Sequence, residues 1–88
     1  MAPRVNARAP VWLLLIDDAR LDPRDSVSAF VSEESAKAAA QAYHDEHRVS
    51  QALDRFGLDW REDAQGKAAA DDVALSIDFF VMLLEVGS

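Results

Sequence analysis

The chain contains no cysteine. That single absence removes disulfide frameworks, thiolate nucleophiles and cysteine-ligated zinc or iron–sulfur sites. A reducing, cytoplasmic setting is the natural expectation. Long apolar runs are missing too: Val11 to Ile16 spans six residues and runs straight into Asp17 and Asp18. Even with Arg4 and Arg8 upstream, that run is too short for a signal-peptide core or a membrane span, so neither export nor membrane association is expected. The phosphate-loop pattern G-x-x-x-x-G-K-[ST], the nucleophile elbow G-x-S-x-G and the zinc-protease spacing H-E-x-x-H are all absent, which takes away the usual sequence supports for nucleotide, acyl-transfer and metalloprotease chemistry.

With 88 residues there is room for one core, since a chain this short buries only about 60–65% of the surface that its unfolded form exposes. Half of the residues are apolar and 28% are charged, a composition of the globular class. The net charge of −7 is unevenly placed: residues 1–32 are neutral, whereas residues 33–88 hold twelve acids against five bases. Direct nucleic-acid binding needs a basic patch. None is visible here, because the arginines lie beside acids or in the N-terminal segment.

Residues 1–10, with Pro3, Pro10 and Asn6, show no hydrophobic period and read as a flexible arm preceding one domain over 11–88. The run Val11–Ile16 reads as a strand buried on both faces. A turn at Asp22-Pro23-Arg24-Asp25 follows, then a second strand over 26–31. Ser32 has the character of a helix N-cap, with Glu33 and Glu34 placed where the helix dipole favours acids. The helical spacing of Ala36, Ala39 or Ala40, and Tyr43 runs to about residue 48. Val49, Ala52, Leu53 and Phe56 continue that spacing, so either one long helix or two joined near Ser50 are expected to reach Phe56, with Gly57 past the end. The segment 59–66 is polar, with at most a short edge strand. Ala68–Asp72 looks like the start of a helix, and Ser76–Val86 reads as a strand because it is rich in β-branched and aromatic residues. The expected architecture is α+β: an antiparallel sheet of three to four strands near 11–17, 26–31 and 76–86, covered on one face by one or two helices.

Two clusters invite chemistry. Leu13–Asp18 (LLLIDD) is similar to a Walker B strand and to the acidic pocket of receiver domains, but no phosphate loop accompanies it and the chain is too short for repeated βα units. His44-Asp45-Glu46-His47 sets two imidazoles three residues apart, short of a metal site without a third ligand. A metal-dependent hydrolase built on His44, His47 and Asp17 or Asp18 is the rival reading. The expectation is a non-enzyme that needs no cofactor and no metal.

Acids also occur as adjacent pairs, at Asp17-Asp18, Glu33-Glu34, Asp45-Glu46, Glu62-Asp63 and Asp71-Asp72. Read as a docking surface for a basic protein partner, possible contacts are Glu33, Glu34, Glu62, Asp63, Asp71 and Asp72. Trp60, lying in a polar stretch, is the aromatic anchor. One helix covers one sheet face, yet Val11–Ile16 and Ile77–Leu84 offer apolar side chains to both. A homodimer is therefore expected, with Ile77, Phe79, Phe80, Val81, Met82 and Leu83 at its interface. Other roles compatible with these features are an antitoxin or immunity protein and a purely self-associating module.

The stretch WLLLIDD followed by SVSAFVSEESAKAAAQAYHDEHR resembles the opening of small acidic α/β proteins carried by phages and other mobile elements, a group that includes anti-CRISPR inhibitors. The resemblance covers residues 11–48 and assigns no binding residue. It implies an inhibitor of nucleic-acid-handling machinery.

Overall fold

A computed structural model describes residues 10–85, which form a five-stranded antiparallel sheet with one helix on one of its faces. The chain is thus α+β, with more strands than the sequence pattern announces. The strands are β1 (Pro10–Asp17), β2 (Val27–Phe30), β3 (Arg61–Glu62), β4 (Ala68–Asp72) and β5 (Ile77–Glu85), and the helix α1 is Glu33–Ser50. Their order across the sheet is β2-β1-β5-β4-β3.

The two most apolar runs lie side by side in the middle. β1 and β5 pair from Pro10 opposite Glu85 to Asp17 opposite Asp78. Central strands have hydrogen-bonding neighbours on both sides, so apolar, β-branched and aromatic residues are concentrated there. Asp22 caps a short 3₁₀ turn over Pro23–Asp25, its side chain accepting from the Arg24 amide, and the turn leads into β2 on the outer edge. Most of the expected N-terminal arm lies outside the described residues.

Ser32 caps α1 by accepting a 3.1 Å bond from the Ser35 amide, with Glu33 and Glu34 in the first turn. The helix stops at Ser50, where a break was one of the two expectations, and no helix continues to Phe56 and Gly57. Ala52 takes a left-handed φ of 60°. The Leu53 amide donates to the Arg48 carbonyl at 2.8 Å and the Ala52 amide to Val49 at 3.0 Å, the paired bonds of a Schellman ending. Apolar spacing continues past this point, but the chain turns back, and Gln41 receives it. Its Nε2 donates to the Phe56 carbonyl and its Oε1 accepts from the Leu58 amide, both at 2.8 Å.

β4 is a second correction, since Ala68–Asp72 forms a strand rather than the beginning of a helix. Alanine prefers helix intrinsically, but here Ala68, Ala69 and Ala70 stand opposite Val81, Phe80 and Phe79. Small side chains beside large ones let the sheet continue, and that tertiary pairing outweighs the local preference.

The period of two in the strands decides what is buried. Leu14, Ile16, Ala70, Ile77, Phe79 and Val81 point towards α1 and form the core with Ala36, Ala40, Leu58 and Leu75. Ile77, Phe79 and Val81, expected at an oligomer interface, are 1%, 0% and 1% exposed and belong to this core. Leu83 shares their parity and pairs with Trp12, but is 45% exposed. Phe80 and Met82 alternate onto the opposite face of the sheet. Among the described residues, no helix is long and apolar enough to cross a membrane.

Candidate functional site

Two buried polar groups fasten the helix to the sheet. His44 is fully buried, and its Nε2 meets Asp72 Oδ2 at 2.7 Å; Arg48 Nη1 donates to the same oxygen at 2.7 Å. Burial pushes the Asp72 carboxyl up, but the bonds from Arg48, His44 and the Leu75 amide outweigh it and the net shift is downward. An Asp–His pair is half of a hydrolytic constellation by residue type. With 0% exposure, however, this imidazole is closed off from solvent; its Nδ1 has no hydrogen-bond partner among the described residues and sits 3.4 Å from Asp45 Oδ1. The second group joins Tyr43, Asp18 and Arg20. Burial raises the Asp18 carboxyl, yet bonds from Arg20 and Tyr43 outweigh it and hold the group at about 2, while Tyr43 is pushed up to about 12, first by burial and then by Asp18.

His47, the other imidazole of the His-Asp-Glu-His stretch, points elsewhere. Its ring nitrogen Nδ1 bonds the Tyr43 carbonyl at 2.9 Å, and the ring stacks on Tyr43 at 4.2 Å. Among the described residues, no group of three or more His, Asp or Glu side chains is arranged to hold a metal ion.

The expected docking residues are divided by the fold. Glu33, Trp60 and Glu62 come together around a cleft of about 220 Å³ that Lys37, Arg61, Gly66 and Ala68 complete. Lys37 Nζ bonds Glu33 at 3.1 Å and lies 5.5 Å from the Trp60 ring centroid, so much of the cleft's negative charge is already answered. Trp60 is half-buried and packs against the core beside Phe79, an inward role rather than that of a free anchor. Glu34 is exposed on the helix. Asp63 organises the β3–β4 turn, its Oδ1 accepting from the Gln65 and Lys67 amides at 2.9 and 2.8 Å. Asp72 is 4% exposed and already bound to His44 and Arg48. It therefore leaves the docking set, because its place on β4 turns it towards the helix.

Asp71, one residue earlier, turns the other way and joins Asp17, which the pattern offered only as a member of the Asp17-Asp18 pair, and Asp78, which it did not single out. Asp17 stands directly opposite Asp78, and Asp78 directly opposite Asp71, across three adjacent strands. Arg61 Nη2 reaches Asp71 Oδ1 at 3.1 Å; neither Asp17 nor Asp78 has a cationic partner among the described residues. Asp78 is exposed, but the partial desolvation that its neighbours impose raises its carboxyl, and the charges of Asp71 and Asp17 raise it further. Beside this row the same face continues as Leu15, Phe80 and Ala69, then Leu13 and Met82, then Val11 and Leu84. Strand alternation places Asp17 and Asp78 on the side away from the core, but their adjacency depends on the β1–β5 register, which no local signal specifies.

Most of the described cations are already paired, Arg61 within the row and four others away from it. Arg20, Arg24, Lys37, Arg48 and Arg61 each pair with an acid of the same chain. No protein-family model matches the chain, and no curated protein or solved structure matches it either.

Proposed function

We propose that the protein is a non-catalytic docking protein, an inhibitor or adaptor that applies an acidic sheet end to a basic protein surface, in the manner of the mobile-element inhibitors that its first half resembles. The observation that carries this reading is the row Asp17–Asp78–Asp71. Like charges directly opposite one another on neighbouring strands are destabilising, and partial desolvation of Asp78 adds to that cost. A cationic surface brought against the row offsets both effects. The exposed acids beyond it, Glu34, Glu46 and Glu62 among them, supply the wider negative field that speeds encounter with a basic partner.

The test starts from the partner recovered on the intact protein from its native host and uses Asp17→Asn and Asp78→Asn together. Affinity is expected to fall at least 10-fold at low salt, and the difference from wild type to shrink as salt screens the charges. Equal affinities of the two proteins at low salt would remove the row from the docking surface.

A further inference from the structure

The sheet face turned away from α1 has no described element packed on it, although it is apolar over most of its extent. Val11, Leu13 and Leu15 of β1, Phe80, Met82 and Leu84 of β5, and Val27, Ala29 and Ala69 on the flanking strands share it by register. Among the described strand residues of this face, charge enters only at one end, as the aspartate row and Arg61. The helix lies against the other face, where Ala36 and Ala40 join the core side chains of β1, β4 and β5.

We infer that a second copy of this chain covers the face, in a two-fold dimer with sheet packed on sheet. Area supports this occupant. With eight residues in β1, nine in β5, four in β2 and five in β4, a rise of ~3.3 Å per residue and a strand spacing of ~4.8 Å give a flat footprint of roughly 400 Å². Side-chain relief increases the accessible area of such a layer, its aspartate end included, to on the order of 600–700 Å² per copy, so that the pair buries up to about 1,200–1,400 Å², the lower edge of the standard range for stable complexes.

Charge selects the orientation. A two-fold axis parallel to the strands would stack the two aspartate rows on each other. An axis crossing the strands in the interface plane instead sends the rows to opposite ends and lays Leu13 and Met82, cross-strand neighbours near the middle of the apolar stretch, over their own copies. The interface is then isologous and free of acids at its centre, and each row remains at a rim. This inference stands apart from the docking proposal, since a dimer without a basic partner or a basic partner without a dimer is each self-consistent.

Light scattering after gel filtration is expected to report twice the 9.7 kDa chain mass. Phe80→Glu is expected to return it to a single chain with unchanged circular dichroism. Leu84→Glu provides the check if Phe80→Glu fails to fold, because Leu84 is 48% exposed and carries little of the core; it is expected to weaken the dimer at least 10-fold. The chain has no cysteine, so Met82→Cys and Asp17→Cys each introduce one thiol. Oxidation is expected to link Met82→Cys to its copy and to leave Asp17→Cys unlinked. A single-chain mass at several hundred micromolar, a dimer indifferent to Glu at both 80 and 84, or cross-linking through position 17 rather than 82 would each overturn the inference.

Discussion

The Tyr43 hydroxyl donates a 2.7 Å hydrogen bond to Asp18 Oδ2 and so ties the middle of α1 to the end of β1. Arg20 completes the junction, its Nε bonding Asp18 Oδ1 at 2.8 Å and its Nη2 the Leu75 carbonyl at 2.7 Å. Three segments distant in sequence are thus joined, α1 through the Asp18 carboxylate and the Leu75 turn through the Arg20 guanidinium. Tyr43→Phe is expected to cost about 1 kcal/mol in urea unfolding and Asp18→Ala roughly 2–3 kcal/mol, because the second change leaves the hydroxyl and the guanidinium unanswered. The two losses are not expected to add, since the residues share one bond. Strict additivity in the double mutant would show that the bond contributes nothing.

The same carboxylate predicts an acid sensitivity. Asp18 is lowered in the folded protein from 3.8 to about 2, so its contribution is complete above the unfolded value and lost as pH falls through the folded one. That contribution is on the order of 2 kcal/mol. Urea midpoints are expected to drop between pH 4 and pH 2, and Asp18→Asn to flatten the drop in this window. An equally steep profile in the variant would assign the acid sensitivity to other groups.

Asp72 holds both His44 and Arg48 at 2.7 Å. Asp72→Ala leaves a guanidinium and an imidazole beneath the helix without their acceptor and is expected to cost about 3–5 kcal/mol. Thermal unfolding gives the readout. A loss below about 1 kcal/mol, the scale of an exposed pair, would mean that the network is solvated.

Asp78 predicts the opposite sign. Partial desolvation and the charges of Asp71 and Asp17 raise its carboxyl, so its protonated form is favoured by folding, and stability is lost as pH rises through the raised value. Asp78→Asn is therefore expected to stabilise the protein at neutral pH, with the gain fading once the wild-type carboxyl is protonated in acid. Unchanged or reduced stability at pH 7 would contradict the repulsion assigned to the row.

Ala52 closes α1 at a φ of 60°, a conformation that costs a residue with a Cβ roughly 1–2 kcal/mol. Ala52→Gly removes that strain and is expected to stabilise by up to about 1 kcal/mol, the greater freedom of glycine in the unfolded chain taking back part of the gain. A lower melting temperature in the variant would show that the Ala52 methyl contributes contacts worth more than the strain.

Local chemistry alone determined the α+β class, the two central strands, the Asp22–Asp25 turn and the start of α1 at Ser32, because apolar runs, turn residues and an N-cap act over a few neighbouring residues. The helix end was not legible: apolar spacing continues to Phe56, and only the return of the chain onto Gln41 stops the helix at Ser50. Nor was β4, whose alanines are strand because Phe79, Phe80 and Val81 lie beside them. The polar sites depended on tertiary structure still more strongly. Asp71 and Asp72 are identical in type and adjacent in sequence, yet one faces outward beside Asp78 and the other inward to His44. A strand turns successive side chains to opposite faces, and only the helix packed on one of those faces makes the two positions different.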